Sequence, residues 1–198
     1  MKIIDCSGLS CPEPVLRTKE ALKDYPFEDL IIVIDNVTAR DNVMRFIGSK
    51  GLYAEWQEKD GSFHINVTGS KTVTENTPVE KVHPGGTTHP VLLIASDQLG
   101  QGSRELGQLL LRNFIYTLTK QDQAPRAIVL MNGGVKLSID GSPVIEELED
   151  LIAKDVAILV CGTCLDYFEL KEKHRAGQVS NMYDIADLLL TSEKVITV

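Results

Sequence analysis

The sequence predicts an α/β protein of two domains: an N-terminal two-layer βαβαββ sandwich and a C-terminal, mostly parallel, three-layer αβα domain. Two observations predict this class. Short apolar, β-branched runs alternate with segments of helical apolar spacing in both halves of the chain. Between the halves, residues 70–89 lack apolar periodicity and are rich in turn formers, as in a flexible linker. We therefore expect a first domain at 1–69, a linker at 70–89 and a second domain at 90–198.

The composition narrows the class of protein. A hydrophobic fraction of 43% in 198 residues is enough to build a core. The sequence contains no run of 18 apolar residues, so we expect no membrane span. The net charge of −8, without a basic cluster, argues against nucleic-acid binding. The N-terminus lacks the pattern of a signal peptide. We therefore expect a cytoplasmic protein whose four cysteines are reduced thiols.

The first domain is expected to contain four strands and two helices. In chain order these are a strand at Lys2–Cys6, a helix over about 15–24, a strand at Leu30–Ile34, a helix over about 39–50, and hairpin strands at Tyr53–Gln57 and Phe63–Val67. Thr38 and Asp41 resemble a capping box for the second helix. Asp60-Gly61 is a signal for a type I′ turn between the hairpin strands.

The second domain alternates strands and helices, which predicts a parallel sheet covered on both faces. The strands are Val91–Ser96, Ala127–Met131, Val156–Val160 and Val195–Val198. The helices run over about 103–119, with Leu106, Leu109, Leu110 and Phe114 on one side, from Ser142-Pro143, and over about 182–190. Residues 97–102, 132–134 and 161–164 each follow a strand. Since ligands of such sheets lie beyond the carboxyl ends of the strands, we expect these three loops to meet there.

The strongest chemical signal is Cys11-Pro12-Glu13-Pro14 at the start of the first helix. Proline suits the first turn, where backbone N–H groups have no intrahelical acceptor. A thiol at the rim of that turn feels the positive end of the helix dipole, which favours the thiolate. The prolines also remove N–H donors, so the activation is modest. Both a reactive thiol and a small apolar residue at a strand–helix corner fit this pattern.

Cys161-Gly162-Thr163-Cys164 is the second chemical signal, because it directly follows an apolar strand. Two thiols at this spacing can come close enough to form a disulfide, and N–H groups of the turn can stabilise one thiolate. A redox or sulfur-transfer pair, two inert buried cysteines, and half of a zinc site all fit. Zinc needs two further ligands, and the nearest candidate is His174.

Four other patterns carry less information. His83 and His89 could bind a metal, but no carboxylate cluster accompanies them. Gly100-Gln101-Gly102 precedes a helix but lacks the third glycine of a dinucleotide-binding loop, so a turn explains it better. Asn132-Gly133-Gly134 fits a tight turn better than an anion nest. Cys6 fits a small core residue. We therefore expect neither a metal nor a cofactor.

The residues around Cys11 resemble a known family. Gly8-Leu9-Ser10-Cys11-Pro12-Glu13-Pro14 resembles the C-P-x-P signature of TusA/SirA-like sulfur carriers, and residues 35–41 resemble the segment that follows the second strand in that family. Residues 90–198 resemble a DsrE/DsrF-type sulfur-relay domain in their order of elements and in Cys161 and Cys164. Together the two halves resemble YedF-type proteins associated with selenium metabolism.

The resemblance implies that Cys11 carries sulfur or selenium, as a persulfide or selenyl-sulfide. A cysteine desulfurase or another persulfide or selenide donor would load it. Cys161 or Cys164 would take the cargo next and deliver it to a downstream acceptor protein. Because DsrE-type domains often assemble, the resemblance also favours a homo-oligomer.

The remaining residues that we expect at these sites are neighbours of the cysteines: Pro12, Glu13 and Pro14, with Gly162 and Thr163. We expect them to supply binding contacts rather than chemistry. Two other functions stay open at this point. One is a thiol–disulfide oxidoreductase that uses Cys161 and Cys164, and the other is a non-catalytic regulatory or adaptor protein.

Overall fold

The computed structural model describes residues 1–9, 12–26, 28–72 and 89–198, and the side chains of 1–9, 12–26, 28–68 and 89–198. The chain divides into two compact units, each built around its own sheet. Cys11 and His83 lie outside the described residues, as do residues 73–88 of the predicted linker. Within the described ranges, no helix combines the length and apolar character that a bilayer crossing requires.

The first unit has the predicted βαβαββ order. Its strands are β1 (Lys2–Asp5), β2 (Leu30–Ile34), β3 (Leu52–Lys59) and β4 (Ser62–Thr72), and its helices are α1 (Glu13–Asp24) and α2 (Val37–Ser49). The sheet order is β1-β2-β4-β3, with β1 and β2 parallel and the other pairs antiparallel. β4 continues to Thr72, three residues into the segment predicted as linker.

One face of this sheet forms the core with the two helices. The alternate residues Leu30, Ile32 and Ile34 of β2 are fully buried. Phe46 and Ile47 of α2 pack in the same cluster. Each such side chain contributes about 1.5–3 kcal/mol when it leaves water. Because both helices draw on this one cluster, the unit has two layers, as predicted.

Of the two local predictions in this unit, the cap of α2 was wrong and the turn of the hairpin was right. The capping box predicted at Thr38 and Asp41 was wrong: Asn36 is the N-cap, and its side chain accepts a hydrogen bond from Ala39 N–H at 2.8 Å. Asn36 has extended backbone at the end of β2, where asparagine is a preferred cap. The turn at Asp60-Gly61 is confirmed, since both residues have the positive φ that a type I′ turn requires.

The second unit contains five strands and four α-helices among the described residues. The strands are β5 (Val91–Ile94), β6 (Ala127–Leu130), β7 (Ala157–Cys161), β8 (Gln178–Ser180) and β9 (Val195–Thr197). The helices are α3 (Arg104–Leu118), α4 (Ile145–Ala153), α5 (Gly162–Tyr167) and α6 (Met182–Thr191), with 3₁₀ helices at Asn132–Ser138 and Lys171–Lys173. The strand order is β8-β7-β6-β5-β9, and every pairing is parallel.

The order of the strands explains the three layers of the second unit. The chain moves across the sheet from β5 through β6 and β7 to β8, and then returns to β9 on the far side of β5. The rule that such crossovers are right-handed predicts α3 and α4, which contact each other, on one face and α6 on the other. All four residues of β6 are buried, as expected for a central strand that is covered on both sides.

α3 does not bury the side of the helix on which the sequence places most of its leucines. Its buried residues are Gly107, Leu111 and Ile115, whereas Leu106, Leu109 and Leu110 are 53%, 53% and 42% exposed. Gly107 allows this orientation, because it has no side chain on the buried side of the helix. A Cβ at that position would lie 3.0 Å from the Leu99 carbonyl oxygen, so this side of the helix makes the closest approach to the loop that follows β5.

Candidate functional site

The turn that leads towards Cys11 is tied to the ends of β1 and β2. Gly8 N–H donates to Asp35 Oδ2 at 2.7 Å, and Ser7 N–H donates to Asp5 Oδ1 at 2.9 Å. Gly8 has a φ of +72°, a conformation that glycine adopts without steric cost. The Gly8 hydrogen bond is the main reason that the pKa of the Asp35 carboxyl lies below its usual range. These hydrogen bonds thus fix the backbone as far as Gly8, three residues before Cys11.

The residues after Cys11 form the start of α1 that the two prolines predict. Pro12 is the N-cap, and its carbonyl accepts a hydrogen bond from Leu16 N–H at 3.1 Å. Pro14 is buried in the first turn, while Glu13 is exposed and forms an ion pair with Arg17 at 3.5 Å. The roles of these residues and of Cys11 stay predictions. Cys6, by contrast, is confirmed as a core residue, because it is fully buried and burial raises the pKa of its thiol.

At the second sheet, the loops after β5, β6 and β7 meet beyond the carboxyl ends of the strands. Met131 N–H donates to the Ile94 carbonyl at 3.0 Å. A Cβ at Gly134 would lie 2.2 Å from the same carbonyl oxygen, so only glycine allows this approach. A Cβ at Gly133 would lie 3.5 Å from Asp97 N. The loop after β6 therefore packs closely against the loop after β5, as the order of elements predicts.

Cys161 is the buried member of the cysteine pair. It is the last residue of β7, one residue beyond the predicted end of that strand, and it is 1% exposed. Burial, followed by a hydrogen bond with Cys164, raises the pKa of the Cys161 thiol to about 12. Because the thiolate is the effective nucleophile, burial and the raised pKa make Cys161 slow to react with reagents in solution at neutral pH.

Cys164 is the accessible member of the pair. It lies in α5 and is half-buried, and its Sγ accepts a hydrogen bond from Asn132 N–H at 3.2 Å. Asn132 follows β6, so the donor comes from a different loop from the one that carries the sulfur. A fixed N–H donor stabilises negative charge on sulfur. Cys161 and Cys164, which share a hydrogen bond, are both free thiols.

The other residues predicted from the sequence lie at helix starts or in loops, and the binding roles of Gly162 and Thr163 stay predictions. Ser103 caps α3 by accepting a hydrogen bond from Leu106 N–H, so residues 100–102 form a turn before a helix. His89 Nδ1 lies 2.9 Å from the Ala124 carbonyl oxygen. Gly162 is buried and Thr163 is exposed in the first turn of α5. In the part of the chain that the structure describes, no three His, Cys, Asp or Glu side chains are grouped to hold a metal ion.

Comparison with known proteins identifies the first domain. The family model of sulfurtransferase TusA matches residues 2–69. A proposed sulfur carrier protein of Methanocaldococcus jannaschii is 42% identical over 52 residues, which are 26% of this chain and 69% of that protein. The chain belongs to the TusA family. A second family model, DsrE/DsrF-like, matches residues 112–198, so the TusA domain is followed by a DsrE/DsrF-like domain in one polypeptide.

Three solved structures are similar to parts of the chain. A SirA-like protein from Desulfitobacterium hafniense is 30% identical, with a TM-score of 0.34, over 36% of this chain and 100% of that protein. The YchN protein of E. coli is 18% identical, with a TM-score of 0.41, over 56% and 100%. A protein of unknown function from Methanobacterium thermoautotrophicum is 17% identical, with a TM-score of 0.42, over 55% and 97%.

The two matches cover every cysteine that sequence reasoning singled out. The TusA match includes Cys11, and the DsrE/DsrF-like match includes Asn132, Cys161 and Cys164. Sequence reasoning missed the contact of Asn132 with Cys164, because the two residues are 32 positions apart. The available signal was Asn132 itself: asparagine tolerates positive φ, and this residue follows a strand of the same parallel sheet as the strand before Cys164.

Proposed function

We propose that the protein is a sulfur or selenium carrier with two thiol stations, Cys11 in the TusA domain and Cys164 in the DsrE/DsrF-like domain. The observation that carries this proposal is the TusA match, because it spans the Cys11-Pro12-Glu13-Pro14 segment. Family membership and the similarity to a proposed sulfur carrier both support a carrier role. Sulfur donors and acceptors are therefore the expected partners.

Loading begins at Cys11. Its thiolate attacks the terminal sulfur of a donor persulfide, such as the one on a cysteine desulfurase. A new S–S bond forms at Cys11, the S–S bond of the donor breaks, and the donor cysteine leaves as a thiolate. No net oxidation occurs, since one S–S bond replaces another. The same attack on a selenium-loaded donor gives a selenyl-sulfide, and the proposal of selenium rests on the resemblance to YedF-type proteins.

Transfer continues at Cys164 rather than at Cys161. Cys164 is accessible and has the Asn132 N–H donor, whereas Cys161 is buried and keeps its proton at neutral pH. Cys164 therefore attacks the sulfane sulfur on Cys11, and Cys11 leaves as a thiolate. Because both stations lie in one chain, their effective concentration is high if the predicted linker is flexible.

Release uses the second thiol of the pair. Cys161 attacks Sγ of the Cys164 persulfide anion and passes its proton to the terminal sulfur. A Cys161–Cys164 disulfide forms, the bond between Sγ and the terminal sulfur breaks, and that sulfur leaves as hydrosulfide. The sulfane sulfur is reduced and the two thiols are oxidised, so the electrons balance. An external dithiol reductant then restores both thiols. The hydrogen bond between the two thiols supports this step, since it brings them within reach of each other.

Mass mapping tests the proposal. The full chain is incubated with a cysteine desulfurase and L-cysteine, and in parallel with L-selenocysteine, followed by intact-mass measurement and peptide mapping. We expect a dithiothreitol-reversible adduct of one sulfur or one selenium atom on Cys11, which C11S abolishes. In C164S the adduct should accumulate on Cys11. No adduct on Cys11 with several donors would contradict the carrier function.

A thiol–disulfide oxidoreductase is the second candidate function. The observation that favours it is the shared hydrogen bond of Cys161 and Cys164, because two such thiols can close a disulfide without a carrier step. Titration in redox buffers distinguishes the two functions. An oxidoreductase interconverts the Cys161–Cys164 pair reversibly in C11S as in the wild-type chain, and it turns over a disulfide substrate. A carrier needs Cys11 for its activity.

A further inference from the structure

We propose that Asn132 is a positioning residue for Cys164: its left-handed backbone aims the main-chain N–H at Cys164 Sγ, where it stabilises negative charge on this sulfur. The Asn132 N to Cys164 Sγ distance is 3.2 Å. Asn132 has a φ of +44°, one of four positive values at non-glycine positions among the described residues. The inference deepens the proposed function, since it concerns the reactivity of the second station, but its test requires no sulfur cargo.

The direction of this N–H group is fixed by the sheet. Asn132 opens the 3₁₀ helix at Asn132–Ser138, directly after β6. On one side, Met131 N–H is bonded to the Ile94 carbonyl at 3.0 Å, and on the other, Gly134 N–H donates to the Met131 carbonyl at 2.8 Å. Gly134 leaves no room for a side chain against Ile94. The backbone on both sides of Asn132 is therefore held, and the donor is in place before any reaction.

Such a donor has a chemical effect that a turn alone does not have. A hydrogen bond to an ionised acceptor is stronger than one to a neutral acceptor, so it shifts the thiol–thiolate balance towards the charged form. A donor held in advance by the fold needs no rearrangement when charge develops on the sulfur. Asparagine is suited to this position, because it tolerates the left-handed region better than most residues that have a Cβ.

The substitutions that test this role change the backbone preference and leave the sulfur untouched. Asn132→Gly keeps access to positive φ, whereas Asn132→Val disfavours it strongly, since β-branched residues rarely adopt this region. Asn132→Ala is a milder variant that keeps the test usable if the valine variant does not fold. Asp155→Val is a matched control, because Asp155 also has a positive φ, +62°, but lies between α4 and β7.

The measurement is the rate of iodoacetamide alkylation of Cys164 in the full reduced chain from pH 5 to 10, assigned by peptide fragmentation. In Asn132→Val we expect the rate at pH 7 to fall about tenfold, with the pH profile moved to higher pH and its plateau unchanged. Asn132→Ala should fall in between, and Asn132→Gly should keep the wild-type rate within about twofold. The Asp155→Val variant should lose thermal stability without moving this profile.

Each outcome separates positioning from a structural role. A lower plateau in Asn132→Val, with an unmoved profile, would show that the substitution only blocks access, and this would overturn the proposal. Equal shifts in Asn132→Val and Asp155→Val would also overturn it, because a general loss of stability would then be the cause. Failure of sulfur loading with an intact Asn132 effect would refute the proposed function and leave the positioning role standing.

Discussion

Both cysteine regions of this protein occur where a strand is followed by a helix along the chain, but they differ in the N–H donors near the sulfur. In the sequence, Cys11 stands between the first strand and the first helix, whereas Cys161 ends β7 and Cys164 lies in α5. Cys11 is followed by Pro12 and Pro14, which have no N–H to donate. Cys164 receives an N–H from Asn132, in another loop of the sheet. The two regions therefore differ in the N–H donors that lie near the cysteine in the sequence or in the structure.

This difference bears on the proposed transfer. A thiolate with few donors has a higher intrinsic nucleophilicity, whereas a thiolate with a fixed donor is a better leaving group and a weaker attacker. Under the proposed function, Cys11, which is followed by two prolines, therefore suits attack on the donor persulfide. Cys164, which has the Asn132 N–H, suits passing its cargo on to an acceptor.

The largest effect that we expect separates the two members of the C-terminal pair. At pH 7.5, iodoacetamide should modify Cys164 at least about a hundredfold faster than Cys161, because Cys161 is buried and its pKa is raised to about 12. The Cys161 rate should keep rising as pH increases towards that value. Peptide mapping of the reduced chain measures both rates. Equal rates for the two thiols would remove the reason to place Cys164 before Cys161.

The next effect concerns the backbone that holds the Asn132 loop. Gly134→Ala should lower the free energy of unfolding of the DsrE/DsrF-like domain by about 3 kcal/mol, since the new Cβ would collide with the Ile94 carbonyl. Gly102→Ala is the matched control, because its Cβ would have open space and its change should stay within about 0.5 kcal/mol. Urea denaturation measures both. If Gly134→Ala were as stable as the control, the loop would not be held as described.

The smallest effect belongs to the TusA domain. Asp35→Ala should speed hydrogen exchange of the Gly8 amide, because Asp35 Oδ2 is its acceptor. The lowered pKa of Asp35 gives the sign of the pH dependence. Its contribution is present above the ordinary carboxyl pKa of 3.8 and is lost as pH falls through the lower folded value. Asp24→Ala, at the other end of α1, is the control and should leave Gly8 exchange unchanged.

Sequence reasoning reached the fold because its main signals are local. Leu30–Ile34 is a strand in both the prediction and the structure, and the turn at Asp60-Gly61 is confirmed. The errors arose where neighbouring signals compete. Asn36 caps α2 instead of Thr38, because the extended backbone of Asn36 places its side-chain oxygen 2.8 Å from the Ala39 N–H, while the neighbouring Asp35 accepts from Gly8.

The candidate site was less accessible to prediction because it depends on contacts between loops. The end of β7 differs by a single residue from the predicted strand, and this residue is Cys161, which changes from a loop thiol to a buried one. The Asn132 hydrogen bond to Cys164 joins residues that are far apart in the sequence. Neither the burial nor the donor follows from the spacing of the two cysteines alone.

The order in which the two stations acquire cargo tests the central claim most directly. The reduced full chain is mixed with a cysteine desulfurase and L-cysteine, quenched at successive times with excess iodoacetamide, and mapped by mass spectrometry. The account predicts that the sulfur adduct appears first on Cys11 and then on Cys164, and that C11S prevents both. An adduct that appears on Cys164 at an unchanged rate in C11S would contradict it.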